Sequence, residues 1–345
     1  MQAIVLDQFG GVEQFKMREL PDPQVKSGEV RIRLRCAAFN PVDWKMREGH
    51  YGGNLPKVLG ADCSGVIDQV ASDVKEFALG DEVMAMPFGQ GSNGAYAELL
   101  TLPTPFVAKK PNSLSFQQAA ACPLVSLTAY RVLIACRAVR EGDSVFIAGA
   151  GGGVGSIAVA LAKHRGARCI CTVAGSESSA QFLTQQLGIN PEQIILYPGL
   201  NHQQLCEKIL NSNQGRHFET TCDLVGGEMK KLCLDLTAYS GHFCTILPES
   251  ETFDFPIWTR GSMTFSKNLS FHCVFVGAEA FSPRREAWHI YAQQLEEISD
   301  LLNKKILVPP QVTHVGEFNV KTVSEAHQLL QQGKVKGKLV MTVTS

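Results

Sequence analysis

The residues of this sequence that most directly suggest a chemical function lie in a glycine-rich stretch, 149–155. An apolar run, 145–148, comes just before it, and small and apolar residues recur at helical spacing over 156–163. This order predicts a strand, a tight turn and a helix. A helix start offers unpaired backbone N–H groups, and glycines let a phosphate approach the backbone closely. The stretch is therefore predicted to bind the pyrophosphate of a dinucleotide.

The match to the dinucleotide fingerprint Gly-x-Gly-x-x-Gly is imperfect. With the last glycine at Gly155, the second falls on Gly152 and Ala150 occupies the first position. A glycine-rich turn without a ligand is the alternative interpretation. The preceding strand, the following helix and the βαβ series that they begin favour binding.

The end of the next predicted strand bears on which dinucleotide binds. NAD-specific sites carry an acid about 20 residues beyond the second glycine, where it binds the ribose 2′-hydroxyl. Here Thr172 and Val173 lead to Ala174, a small neutral residue, where the acid belongs. Because nothing there would repel a 2′-phosphate, NADPH is predicted over NADH. No Arg or Lys follows directly, so hydroxyls, backbone amides or a cation from elsewhere would have to bind that phosphate.

The elements around this stretch predict two domains. Up to residue 122, short strands separated by turn residues indicate a β-rich unit. Over 123–276, six strands alternate with helices, which is typical of a doubly wound parallel sheet of the α/β class. The segment 277–345 has amphipathic helices at 284–305 and 320–332 and a last strand. It lacks a core of its own and is predicted to fold back onto residues 1–122.

Further strands are predicted over shorter segments in both domains. In the first domain they are 4–6, 29–38, 64–70, 82–86 and 95–100, and in the second they are 168–173, 193–197, 218–225, 242–247 and 270–276.

Composition excludes several classes of protein. The 345 residues are 45% hydrophobic and 19% charged, with a net charge of −1, so neither nucleic acid nor an anionic membrane is an expected partner. No apolar run approaches the roughly 20 residues that span a bilayer. Asp7 comes too early for a signal peptide, and a cytoplasmic location is expected.

The eleven cysteines are scattered, odd in number and never spaced as Cys-x-x-Cys. Several lie in apolar runs, among them Cys36, Cys169, Cys244 and Cys273. This pattern favours reduced, buried thiols over a disulfide framework.

Short motifs along nearly the whole chain together carry a family resemblance. They are Asn40-Pro41-Val42-Asp43 with Arg47 and Gly49, Leu59-Gly60-Ala61-Asp62 with Gly65, Gly80-Asp81-Glu82-Val83, Gly94-Ala95-Tyr96-Ala97-Glu98, Leu127-Thr128-Ala129-Tyr130, Gly152-Gly153-Val154-Gly155, Asp223-Leu224-Val225-Gly226-Gly227 and Gly337-Lys338-Leu339-Val340. The chain resembles the medium-chain dehydrogenase/reductase superfamily, and within it the quinone oxidoreductase (zeta-crystallin-like) family. The resemblance implies a Rossmann domain and a GroES-like β-rich catalytic domain.

Two departures from the zinc-dependent members of that superfamily argue against a metal site. Those enzymes have a cysteine where Asn40 stands and Gly-His-Glu where Gly60-Ala61-Asp62 stands. Their structural zinc would need four closely spaced cysteines, and none lies between Cys63 and Cys122. Zinc prefers sulfur and imidazole donors, so no metal is predicted. Cys36, Asp62 and Cys63 could gather around an ion, but buried thiols are the preferred interpretation.

Without zinc, hydride transfer must form a charge that hydrogen bonds alone can stabilise. Reduction of a quinone or of an α,β-unsaturated carbonyl does so, because the charge spreads into a phenolate or enolate. The resemblance implies that Asn40 and Tyr51 lie in the substrate cleft. We interpret Tyr51 as a hydrogen-bond donor and Asn40 as a group that polarises or orients the substrate. The alternatives are a turn shaped by Asn40 before Pro41, and a Tyr51 in a glycine-rich loop that contacts no substrate.

The resemblance also implies a set of cofactor-binding residues. Asp43 and Lys45 would lie near the cofactor, Thr128 at the nicotinamide, and Phe275 and Val276 at the carboxamide. The remaining residues of the set are Gly151, Gly152, Gly153, Val154 and Gly155 at the pyrophosphate, and Thr172, Ser176, Ser178 and Tyr197 toward the adenosine end.

The sequence thus predicts an NADPH-dependent, zinc-independent reductase of quinones or α,β-unsaturated carbonyls. One alternative is an enoyl-thioester reductase of the same superfamily, and another is a non-catalytic NADPH-binding structural or regulatory protein. The strand 270–276 would be the last of the nucleotide-binding sheet. Since an uncovered apolar edge strand is a liability, a homodimer is expected.

Overall fold

The structure is a computed structural model, and it describes residues 1–89, 93–250, 263–333 and 335–343. The chain divides into two compact units. Unit 1 consists of Met1–Leu127 and Gly277–Ser345, and unit 2 of Thr128–Val276.

The strands and helices of the described residues are numbered in chain order. The strands are β1 (Gln2–Leu6), β2 (Phe15–Glu19), β3 (Glu29–Phe39), β4 (Lys57–Val58), β5 (Asp62–Val70), β6 (Glu82–Ala85), β7 (Leu99–Pro103), β8 (Val107–Lys109), β9 (Ser144–Ala148), β10 (Cys169–Ala174), β11 (Ile194–Leu196), β12 (Phe218–Asp223), β13 (Thr237–Thr245), β14 (Ser270–Cys273), β15 (Val312–Glu317) and β16 (Lys338–Thr342). The helices are α1 (Pro41–Arg47), α2 (Phe116–Ala120), α3 (Pro123–Tyr130), α4 (Gly153–His164), α5 (Glu177–Leu187), α6 (His202–Ser212), α7 (Glu228–Leu236), α8 (Met263–Ser266), α9 (His289–Asn303) and α10 (Val320–Gln331).

Unit 1 is built around the long strand β3, in which alternate residues Val30, Ile32 and Leu34 are fully buried. Its described strands form a sheet in the order β15-β16-β3-β5-β6-β8, with β7 also paired to β3, and a small sheet β2-β1-β4. Strand β16 runs antiparallel to β3, with Leu339 opposite Phe39. The C-terminal segment therefore returns to the sheet of the N-terminal β-rich segment.

Unit 2 contains one parallel sheet in the order β11-β10-β9-β12-β13-β14. Numbered within the sheet, this is the 3-2-1-4-5-6 order of doubly wound dinucleotide-binding folds. Phe146, Phe218 and Phe243 from three of its strands form a core with apolar residues of α6 and α7. The predicted fold class is confirmed: a doubly wound parallel sheet in unit 2 accompanies a β-rich unit 1.

Several sequence-based element limits were wrong. The strand predicted over 95–100 begins at Leu99, because the backbone N–H groups of Ala95 and Tyr96 bond to Gly60 and Leu59 in a loop. The helix predicted over 284–305 is α9, preceded by a single 3₁₀ turn, Arg285–Trp288.

All eleven cysteines are free, and most are buried, but Cys273 is exposed, contrary to the prediction.

In the described part of the chain, no helix combines the length and the apolar character needed to cross a membrane.

Candidate functional site

The glycine stretch of unit 2 forms the predicted strand, turn and helix. β9 ends at Ala148, and α4 begins at Gly153 with Gly152 as its N-cap. A Cβ at Gly155 would lie 2.1 Å from the carbonyl oxygen of Gly149, so the helix can pack on the turn only with glycine there. At Gly152 the nearest atom would be 3.5 Å away, an ordinary contact. The protein therefore leaves room above Gly152, which fits the approach of a pyrophosphate.

The sharp turn is made by a residue that the fingerprint alignment did not include. Gly149 has a φ of +86°, a conformation that favours glycine. Ala150, placed at the first fingerprint position, is buried instead. A glycine directly after the end of the strand was the signal that could have identified this turn.

Hydroxyl groups cluster at the N-terminus of α5, just after β10. Ser176 is the N-cap, its Oγ accepts a hydrogen bond from the Ser179 N–H, and the Oγ of Ser178 lies 3.1 Å from it. A Cβ at Gly175 would lie 2.8 Å from the Tyr197 hydroxyl, so that ring sits beside this cluster. The serines and Tyr197 are thus brought together at one end of the sheet. Their contact with an adenosine 2′-phosphate stays a prediction.

Three other residues predicted to bind cofactor in unit 2 are buried. Thr172 is fully buried, and its hydroxyl donates to the Ile147 carbonyl at 2.7 Å. Thr128 in α3 and Val276 after β14 are also buried, whereas Phe275 is 45% exposed. Their contact with a cofactor stays a prediction.

In unit 1, three side chains distant in sequence form a buried group that we term the Lys338 cluster: Asn40, Asp62 and Lys338. The Asn40 Nδ2 donates to Asp62 Oδ2 at 3.0 Å, and the Lys338 ammonium donates to that oxygen at 2.9 Å and also to Asn40 Oδ1. The Leu124 N–H donates to Asp62 Oδ1 at 2.8 Å. Each end of the Asn40 amide, predicted to act on the substrate, therefore has a protein partner.

Burial makes the charges of this cluster depend on one another. Asp62 is fully buried, and Lys338 and Asn40 are 4% and 1% exposed. Burial raises the pKa of the Asp62 carboxyl, and the Lys338 ammonium opposes that rise. Removing either charge alone would leave the other uncompensated inside the protein.

A catalytic zinc ion does not fit these residues. The amide and carboxylate oxygens that could bind it already accept from an ammonium group, whose charge would repel a dication. The neighbouring thiols bond to backbone carbonyls, Cys63 to Ala85 and Cys122 to Gln118. Burial raises the pKa of both thiols, which disfavours the thiolate that zinc binds.

A second buried polar group lies beside α1. Asp43 Oδ2 accepts from the Asn40 backbone N–H at 2.7 Å, and burial raises the pKa of Asp43 to about 7. The Tyr96 hydroxyl lies 3.0 Å from His327 Nε2, and burial lowers the pKa of that histidine to about 3. Asp43 thus caps a helix from inside unit 1, and its predicted closeness to a cofactor stays a prediction.

The loop after α1 carries the predicted hydrogen-bond donor. Tyr51 is 48% exposed, and in the described part of the chain no residue hydrogen-bonds to its hydroxyl. Partial burial raises the pKa of this phenol, so it stays protonated and able to donate. Among the described residues, the Tyr51 hydroxyl therefore has no hydrogen-bond partner, unlike the Asn40 amide.

Lys45, which was also predicted to lie near the cofactor, is on α1, with its Nζ 5.7 Å from the centre of the Trp44 ring.

Asp43 and His327 predict a pH dependence of stability with opposite signs. Between about pH 4 and 7, folded Asp43 keeps a proton that the unfolded chain has lost, because its ordinary pKa is 3.8, so the free energy of unfolding falls as pH rises. Between about pH 3 and 6.5, folded His327 lacks a proton that the unfolded chain binds, so the free energy of unfolding rises with pH. In the wild type the two slopes oppose each other.

The variants Asp43→Asn and His327→Gln should separate these slopes. Denaturant unfolding between pH 4 and 6.5 should show stability rising with pH in Asp43→Asn and falling in His327→Gln, each by up to about 1.4 kcal/mol per pH unit relative to wild type. The exposed His164→Gln serves as the control. Unchanged slopes in both variants would contradict the assignment.

Taken with its sheet order, the glycine turn defines unit 2 as a dinucleotide-binding unit of the Rossmann type. Comparison with family descriptions agrees: residues 26–112 match the alcohol dehydrogenase GroES-like domain, and residues 200–341 match the zinc-binding dehydrogenase family. These matches confirm the resemblance: the chain is similar to the quinone oxidoreductase-like members of the medium-chain dehydrogenase/reductase superfamily.

Individual relatives give the extent of the similarity. The chain is 36% identical over 163 residues to the mouse (Mus musculus) synaptic vesicle membrane protein VAT-1 homolog-like, an alignment that covers 47% of this chain and 38% of that protein. It is 31% identical over 331 residues to a highly reducing polyketide synthase of Aspergillus terreus, covering 94% of this chain and 12% of the synthase. Among solved structures, the quinone oxidoreductase of Coxiella burnetii has a TM-score of 0.80 and 28% identity, over 100% of this chain and 99% of that one.

Proposed function

We propose that this protein is an NADPH-dependent, zinc-independent reductase of quinones or α,β-unsaturated carbonyl compounds. The observation that carries the proposal is the Lys338 cluster, in which a buried ammonium group bonds to the oxygens that a catalytic metal would need. When a quinone or an α,β-unsaturated carbonyl is reduced, the developing charge spreads into a phenolate or enolate. No localised alkoxide forms, so no metal ion is needed to stabilise one.

The proposed roles of the residues follow from their surroundings. The N-terminus of α4 and Gly152 would hold the pyrophosphate, and the hydroxyls of Ser176 and Ser178 would meet the 2′-phosphate. When bound, the reduced nicotinamide supplies the hydride. Tyr51 would donate a hydrogen bond to the acceptor oxygen. The Lys338 cluster would act as a positioning group, since it fixes Asn40 at the start of the helix that precedes the Tyr51 loop.

The direct test is to follow NADPH and NADH absorbance with a quinone, an alkenal and an enoyl thioester as acceptors. Faster oxidation of NADPH with the quinone or alkenal is the expected result. Cofactor binding without turnover of any acceptor would overturn the proposal, and a preference for NADH would overturn its choice of cofactor. Activity that is lost with a chelator and restored by zinc would contradict zinc independence.

Tyr51→Phe should lower kcat with the quinone or alkenal by about tenfold, which is the effect expected when one hydrogen bond to a developing charge is lost. The affinity for NADPH should not change, because the ring is kept and only the hydroxyl is lost. Tyr239→Phe, at a hydroxyl on another exposed tyrosine, is the matched control. An unchanged kcat would exclude Tyr51 as the donor.

The charge at residue 178 should control the choice between the two cofactors. Ser178 is exposed in the first turn of α5, so a carboxylate there would repel the 2′-phosphate and an ammonium would attract it. Ser178→Glu should weaken the binding of NADPH by about tenfold and Ser178→Lys should strengthen it, while the Kd for NADH stays the same. Parallel shifts for both cofactors would show that residue 178 does not meet the 2′-phosphate.

A second candidate is an enoyl-thioester reductase. It is favoured by the 94% of this chain that aligns with one segment of a reducing polyketide synthase. The same assay distinguishes the two, because this candidate requires the thioester to be the best acceptor. A non-catalytic NADPH-binding protein would show binding without turnover.

We also propose a homodimer formed through β14. This strand lies at one edge of the parallel sheet in the described residues, and its outer backbone groups could pair with a second copy. Sedimentation equilibrium measures the mass directly, and a monomer at assay concentrations would contradict this proposal.

A further inference from the structure

Three different metal-ligating side chains meet on the surface of unit 2, in a group that we term the α6–α7 triad. His202 and Cys206 lie four residues apart on α6, and Asp235 lies near the end of α7. Their ligand atoms all lie within 4.8 Å of one another, and His202 Nε2 is 2.8 Å from Asp235 Oδ2. In the described part of the chain, no other group of histidine, cysteine and acidic side chains has this arrangement.

The positions of these residues make the grouping a property of the fold. Residues four apart on a helix share one face, so α6 aims His202 and Cys206 in the same direction. Both helices pack on the core through Leu205 and Leu236, which fixes their separation. The Lys267 ammonium donates to the backbone carbonyl of Asp235 at 2.7 Å and holds the end of α7 in place.

From this geometry we infer that the α6–α7 triad binds a zinc-like divalent ion. Imidazole nitrogen, thiolate sulfur and carboxylate oxygen are all zinc ligands, whereas magnesium and calcium prefer oxygen alone. Three protein ligands leave a fourth tetrahedral position for water. The side chains of His202 and Asp235 are 45% and 44% exposed, so an ion can enter from solvent.

Binding must remove one proton. The Cys206 thiol loses its proton to the buffer as the metal–sulfur bond forms, and His202 binds in its neutral form.

Such an ion would link α6 to α7 and stabilise unit 2. It would take no part in the proposed reduction. None of its three ligands belongs to the glycine turn, to the serines at the start of α5 or to the Lys338 cluster. This inference does not depend on the proposed function.

The experiment is titration of the full chain with Co²⁺ and with Zn²⁺ alone. Co²⁺ should give a sulfur-to-metal charge-transfer band that saturates at one ion per chain, and Zn²⁺ should abolish that band by competition and raise the Tm. Cys206→Ser should remove the band, and His202→Ala and Asp235→Asn should weaken binding by at least roughly 10–100-fold.

Two other cysteines provide matched controls. Cys136 is half-buried, as Cys206 is, and Cys273 is exposed. Cys136→Ser and Cys273→Ser should keep the band and the rise in Tm. A band that survives Cys206→Ser or disappears in Cys273→Ser would overturn the inference, as would no saturable binding. Because each Tm is compared with that of the same variant without metal, a variant that is merely less stable cannot imitate loss of the site.

Discussion

Replacing Lys338 with methionine is expected to reduce the free energy of unfolding by about 3–5 kcal/mol, because it leaves the buried Asp62 carboxylate without a counter-charge. Two hydrogen bonds, from the Asn40 side chain and the Leu124 N–H, would remain on that carboxylate. The loss should be largest at high pH. Without the ammonium the pKa of folded Asp62 rises further, so protonation relieves the charge at low pH and stability falls as pH rises through that pKa.

Two comparisons separate this effect from ordinary loss of a lysine. The double variant Lys338→Met/Asp62→Asn removes both charges and should recover most of the stability, giving a large coupling energy in a double-mutant cycle. Lys304→Met is the matched control, because Lys304 pairs with Asp300 at 2.6 Å on the exposed surface of α9. It should cost less than about 1 kcal/mol. Equal losses in Lys338→Met and Lys304→Met, measured by denaturant unfolding, would show that the buried pair has no special role.

The sequence could not have predicted the Lys338 cluster, and the reason is physical. Lys338 bonds to Asp62 and Asn40, which lie 276 and 298 positions earlier in the chain. Periodicity and spacing report neighbours along a helix or strand, so they carry no information about such contacts. The family resemblance implies that Asn40 lies in the substrate cleft, where its amide would polarise or orient the substrate. Only tertiary structure reveals that its amide is already bonded to an acid and a lysine.

The parallel sheet was predictable because its signals are local. Strands β9, β10 and β11 are short, largely apolar runs, and glycine or proline residues lie near their ends. Where burial is weak, prediction failed. β2 (Phe15–Glu19) exposes four of its five residues and was missed, because a strand without a buried stripe resembles a loop.

The glycine turn contains one glycine whose place in the motif follows from the sequence and two whose structural roles do not. Spacing aligned Gly155 with the last glycine of the fingerprint, and in the structure a Cβ there would lie 2.1 Å from the Gly149 oxygen. Spacing could not tell that Gly149 makes the turn, or that Gly152 is free of steric conflict within the protein. This difference between two glycines of one motif allows ligand binding to be tested apart from folding.

Gly152→Ala is expected to weaken NADPH binding by about 100-fold, roughly 3 kcal/mol, with little change in stability. Its φ of −80° suits alanine, and the nearest protein atom to a new Cβ is 3.5 Å away, so only a bound pyrophosphate would meet the methyl group. The altered helix cap should cost less than about 1 kcal/mol.

Gly155→Ala should behave differently, because its Cβ would collide with the turn itself. It should lower the free energy of unfolding by about 1–3 kcal/mol or more, as overpacking does, and reduce NADPH binding through damage to the turn. Thermal unfolding with and without NADPH, together with fluorescence titration of the cofactor, measures both quantities for each variant. If unit 2 binds a dinucleotide at this turn, Gly152→Ala loses the rise in Tm that NADPH gives while keeping the Tm of the free protein. A Gly152→Ala variant that still binds NADPH like wild type would place the dinucleotide elsewhere, whatever the effect of Gly155→Ala.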